Sequence, residues 1–176
     1  MKWFLVVAFA ATVPLANWMI GHVGTECIPD GPCIIPVGFG LSAPSGVLMI
    51  GLALVLRDLV QRSAGVRVAL LAILMGVALS ALVAPSSLVI ASAAAFALAE
   101  LADLAVYTPL RKRLPLAVLA SGAVGAVVDS VIFLWLAFGS LAFIEGQIVG
   151  KVLMSVAAVP LVLVARRFSA PGSPAP

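Results

Sequence analysis

Ten cationic and seven acidic residues carry all the formal charge in a 176-residue chain, and several of them fall inside long apolar runs. A charged side chain at the centre of a membrane-spanning helix costs about 2.5–3.5 kcal/mol on insertion scales and marks function by default. The run ASAAAFALAELADLAVYTPL carries Glu100, Asp103 and Tyr107 at helical spacing, with Ser92 and Phe96 continuing that face. A second run steps by four through Ser121, Gly125, Asp129 and Phe133, and a third through Gln147, Lys151 and Ser155. Each is read as a helix with a polar stripe that has no reason to face lipid. Measured from each helix midpoint at about 1.5 Å per residue, Asp129 and Lys151 come within roughly 3 Å of each other in depth, and they are expected to form an ion pair. Glu100 falls nearer the inner side, less directly neutralised, and is a proton-carrier candidate. Asp103 sits lower still. Two alternatives stay open: the pair can simply hold its helices together, and Asp103 can pair with Arg111, Lys112 and Arg113. Arg57 and Asp58 have a similar structural alternative and complete, with Asp103 and Tyr107, a polar cluster at the inner end.

Reactive chemistry is poorly provided for. A hydrolase needs a nucleophile with its base, or a helical pair of metal ligands. The chain has one histidine, His22, and no H-E-x-x-H, G-x-S-x-G or phosphate-binding loop. No enzyme activity, cofactor or metal is expected, and ATP use would need another protein.

The elements that must position these residues follow from composition. With 64% hydrophobic and 10% charged residues, against about a quarter charged in soluble domains, the chain is expected to be an all-α integral membrane protein. Nucleic-acid-binding, disordered and coiled-coil classes are excluded. Apolar spans long enough to cross the hydrocarbon core as helices fall at about 3–20, 44–61, 66–84, 87–108, 115–138 and 145–165. They make a single six-helix domain over 1–168, with a disordered tail, SAPGSPAP, at 169–176. Lys2, Arg57, Arg62, Arg67, Arg111, Lys112, Arg113, Arg166 and Arg167 flank alternate turnarounds, while 21–43, 84–86 and 139–144 hold no Lys or Arg. Cationic residues are retained on the cytoplasmic side, so both termini are placed there. Met1-Lys2-Trp3 before an apolar run also fits a signal peptide broken after Ala16, although the run is longer than usual for one.

The long connection 21–43 is rich in Gly and Pro, and loops beyond about 12–15 residues usually carry function. Its apolar residues, Phe39 among them, suggest a cap folded onto the bundle; a mobile exterior loop is the equal alternative. Cys27 and Cys33 flank a Pro-Asp-Gly-Pro turn in a compartment where disulfides persist, and are read as a disulfide candidate. Two Cys and His22 do not complete a zinc site, and His22 reads as an interfacial end group. Ala8, Thr12 and Ala16 give the first helix a smooth face, for an internal contact or a partner subunit.

Glu100-Leu101-Ala102-Asp103 with Val106-Tyr107, then Asp129-Ser130 with Phe133 and Ala137-Phe138, together resemble the queuosine-precursor transporter family, also called vitamin uptake transporters. The resemblance runs from about 90 to 140 and is compatible through Lys151 and the L-R-D of the second helix. The chain looks like a short member, with Ser121-Gly-Ala-Val-Gly125 where larger members tend to be Ser-rich. This resemblance implies a multi-pass inner-membrane importer, similar in architecture to the substrate-binding subunits of vitamin importers, that takes 7-cyano-7-deazaguanine or 7-aminomethyl-7-deazaguanine. A carboxylate accepts the adjacent N–H donors of a guanine-like edge as a pair, and a flat ring suits stacking on aromatics. Asp129 or Glu100 is assigned to the donor edge and Lys151 or Gln147 to the carbonyl. Phe96, Phe133 and Phe39 are candidates to sandwich the ring, with Ser92 in the same site. The implied partners are a purine-like solute and the lipid bilayer, with a second copy of the chain or an external energising module left open, and no nucleic acid. An importer of another vitamin or nucleobase, and a non-transporting scaffold subunit, are the alternatives. Convergence of the three stripes on one cavity would separate transporter from scaffold.

Overall fold

Apolar runs punctuated by Gly and Pro produce six helices. In the computed structural model, which describes residues 2–110 and 114–169, these are α1 (Lys2–His22), α2 (Val47–Ala64), α3 (Val66–Ser80), α4 (Ser86–Leu110), α5 (Leu114–Phe138) and α6 (Ile144–Ser169). The side chains of Asp58, Glu100, Asp103, Tyr107, Ser121 and Ser155, and all of residues 111–113 and 170–176, lie outside the described residues. Gly65 alone separates α2 from α3, and its φ of +89° is a conformation that only glycine adopts without penalty. Past Ser80 the chain tightens into turn bonds, Leu82 N–H to Leu79 O and Val83 N–H to Ser80 O, because the residue before Pro85 disfavours helical geometry. The third helix is therefore shorter than the 66–84 expected. At the other end of the chain, α6 runs on to Ser169, into the segment read as tail.

The 21–43 connection corrects the all-α expectation. It holds β1 (Glu26–Cys27), β2 (Cys33–Gly38) and β3 (Leu41–Pro44), which pair antiparallel in the order β1-β2-β3. Pairing of Leu41–Pro44 is also why α2 starts at Val47 and not at 44. Phe39 and Gly40, with φ of 54° and 73°, form the two-residue turn between β2 and β3. Positive φ at both positions is what a tight hairpin with right-twisted strands requires. Cys27 lies opposite Cys33, next to a pair bonded by Ile28 N–H to Pro32 O. At such a non-hydrogen-bonded position side chains come closest, and the two cysteines are joined as a disulfide. The sheet is seated on the helices: Val37 and Ala43 bury with Val47 of α2 against Val149 of α6.

Packing divides the helices unequally. α4 and α5 lie along each other as a hairpin, whereas α1, α2, α3 and α6 interlock as a group that the hairpin touches more sparsely. Thr12 and Ala16 are buried, which settles the smooth face of α1 as an internal contact. Pro14 leaves the Ala10 carbonyl without its helical donor, and Gly76 of α3 is pressed onto that carbonyl: an added Cβ would stand 2.7 Å from it. Polarity runs inside out. Lys151, Gln147, Asn17 and Ser130 are buried while Phe4, Leu74, Leu82, Ile90, Trp135 and Val156 are exposed. An apolar exterior over a polar interior suits lipid and not water. By length and composition alone, the one described helix long and apolar enough to span a membrane is Lys2–His22.

Candidate functional site

Small residues decide where Lys151 points. On α6, Gly146 lies against the Ser42 carbonyl of β3, and a Cβ added to Gly150 would stand 2.9 Å from the Val47 side chain. From α2, Gly51 abuts Met154 and the Lys151 carbonyl. With that flank of α6 pressed onto α2 and the sheet, the Lys151 side chain turns to α5. Its Nζ donates to Asp129 Oδ2 at 2.6 Å and to Ser130 Oγ at 2.6 Å. Ser130 in turn donates to the Ala126 carbonyl at 2.8 Å, one turn back on its own helix. This chain of donors fixes the direction of each group.

Burial is asymmetric within the pair. Lys151 is 2% exposed and Asp129 23%, so the carboxylate is the more accessible member. Oδ2 is occupied by the ammonium, and Oδ1 remains as an acceptor. Gln147 is buried one turn before Lys151, on the same face of α6. Phe133, one turn beyond Asp129, is buried and meets Phe138 edge-on, with ring centroids 5.8 Å apart. The arrangement can hold a polar edge through paired hydrogen bonds beside an aromatic face. It presents no activated nucleophile.

Other sequence candidates go elsewhere. Phe39 is 87% exposed at the hairpin tip and is not brought into the buried network. Phe96 packs against the Val6, Phe9 and Val60 cluster and not with Phe133, since α4 carries it a turn past Ser92 toward α1, α2 and α3. Arg57 is half-buried on α2. The Glu100, Asp58, Asp103 and Tyr107 side chains lie outside the described residues. His22 is exposed and stacks on Trp18 at 4.9 Å. Cys27 and Cys33 are consumed by their bridge.

Sequence reasoning missed Asn17. Its Oδ1 accepts from the Ser92 hydroxyl at 2.8 Å, tying α1 to α4. The available signal was a lone amide in the otherwise apolar LANW stretch. A surface groove of about 470 Å³, lined by Ala11, Pro14, Leu15, Trp18 and Val83, lies on the outward face of α1 and contains none of these polar groups.

Residues 84–165 match the family model described as "Putative vitamin uptake transporter". That segment supplies Ser92, Asp129, Ser130, Phe133, Gln147 and Lys151, and leaves out α1 with Asn17. No curated protein and no solved structure matches the chain.

Proposed function

We propose, from the match of residues 84–165 to the vitamin uptake transporter family model, that the chain is a member of that family and a six-span inner-membrane importer of queuosine precursors, 7-cyano-7-deazaguanine or 7-aminomethyl-7-deazaguanine. The helices run 21, 18, 15, 25, 25 and 26 residues. Their apolar outer surface supports insertion of all six; the short α3 is accommodated by local thinning, at a modest cost per ångström of mismatch. Lys2, Arg57, Arg62, Arg67, Arg166 and Arg167 favour a cytoplasmic position for both termini, which puts the disulfide-linked sheet outside as a lid.

The observation that carries the reading is the buried Lys151 with Asp129 and Ser130 beside Gln147 and Phe133. A guanine-like edge has adjacent N–H donors that a carboxylate accepts as a pair, a strong geometry where water is excluded. Asp129 is assigned to that edge, Gln147 or Lys151 to the carbonyl, and Phe133 to the ring. As solute engages the carboxylate, the ammonium partner is released or shared, which links occupancy to the contact between α5 and α6.

Uptake tests this. Cells unable to make queuosine, supplied with either precursor, should regain queuosine in their transfer RNA when they express the wild-type chain, and should lose most of that rescue with Asp129→Asn. Well-expressed wild type that gives no rescue removes these substrates, and an unimpaired Asn variant removes Asp129 from the role.

A further inference from the structure

Asn17 is 2% exposed, and its amide is split in use. Oδ1 accepts from Ser92, while Nδ2 has no hydrogen-bond partner among the described residues. Ser45 Oγ, at the start of α2, is likewise buried without a partner there. The two segments press on each other: a Cβ added to Gly46, beside Ser45, would stand 2.8 Å from the carbonyl of Ala16, beside Asn17. Folded proteins rarely leave buried donors unmet, because each one forfeits its hydration. Two such groups on abutting segments point to a ligand. Ile20, about one turn from Asn17, and Ala91 and Ala95, which bracket Ser92 on α4, pack with Phe133 and Leu134. The Asn17–Ser92 bond and the Lys151–Asp129–Ser130 network thus stand on two flanks of one side-chain cluster.

We propose that Asn17 is a specificity-determining residue of the solute site, presenting its Nδ2 N–H groups to a hydrogen-bond acceptor on the solute, with Ser45 beside it. The inference rests on the import reading above and sharpens it. With Ser92 bonded to Oδ1, the wholly unmet capacity of this amide is its pair of Nδ2 donors. A nitrile nitrogen meets them as an acceptor. A protonated aminomethyl group brings three more donors, and a second cation, to a site that already holds an ammonium. The chain therefore prefers 7-cyano-7-deazaguanine to its 7-aminomethyl counterpart.

Calorimetric titration of the full chain in lipid nanodiscs with both compounds tests the proposal. Wild type should bind the cyano compound about tenfold more tightly than the aminomethyl one, the scale of one well-made hydrogen bond. Asn17→Leu should lose that preference by weakening the cyano compound alone. Its ligand-free melting temperature should stay near that of wild type, because the loss of an unmet donor offsets the loss of the Ser92 bond. Asn17→Asp, which offers acceptors instead, should favour the aminomethyl compound. An unchanged ratio in Asn17→Leu, or a wild type that prefers the aminomethyl compound, overturns the Asn17 assignment alone. So does a Leu variant that melts lower and loses both ligands in parallel, since the residue is then structural. Wild type that binds neither compound overturns the import reading, and this inference falls with it.

Discussion

An ammonium in a nonpolar interior stays charged only when paired and hydrogen-bonded, and Lys151 has both a carboxylate and a hydroxyl within 2.6 Å. Breaking a buried pair from one side costs about 3–5 kcal/mol, whereas replacing both members with apolar groups is often neutral. Asp129→Asn is accordingly expected to lower the melting temperature of the purified protein. The double variant Asp129→Leu with Lys151→Met should recover most of it, and uptake should stay lost in both. Recovery of uptake in the double variant would mean that the pair only braces α5 against α6. The pairing is legible in the sequence, because the rise per residue puts the two at one depth. Asn17 with Ser92 is not, since they lie 75 residues apart and neither belongs to a charged pair that depth alone could match.

At the scale of elements, contact between helices depends on what small residues permit. Gly76 lets α3 reach the carbonyl that Pro14 leaves open on α1, and a side chain there has no room, with Ala10 O at 2.7 Å and Val13 Cβ at 3.1 Å. Gly76→Val should destabilise the fold by about 1–3 kcal/mol, the usual cost of overpacking, read as a lower thermal midpoint. The Cys27–Cys33 bridge spans a separation of six residues, and its loss should cost about 2 kcal/mol on the loop-entropy account. Mass measurement after alkylation should show both thiols blocked until a reductant is added; equal labelling without one would refute the bridge. Helices are legible as apolar runs between Gly and Pro. The strands are hidden because β1, β2 and β3 have two, six and four residues and are interrupted by Pro36 and Gly38, too short for periodicity to register. Their pairing comes from the bridge, the turn at Phe39 and Gly40, and a seat on α6 that no local pattern encodes.

For the whole molecule, polarity decides the surroundings: among the described residues Lys151 is buried while large apolar side chains along the helices are exposed. The orientation proposed from the cationic turnarounds can be tested by labelling. Ser140→Cys should react with a membrane-impermeant thiol reagent in intact cells, and Ser63→Cys only after permeabilisation. The reverse pattern would invert the topology. One contact described above also governs biogenesis. β3 rests on Gly146 of α6, a helix synthesised well after it. On the proposed topology the outer sheet can close its disulfide and pack on α1 and α2 during translation, but it gains its seat on α6 only once that helix has entered the bilayer. A chain interrupted before α6 should export its first loop, oxidise it and leave it without its α6 contacts, more open to proteases than in the full chain.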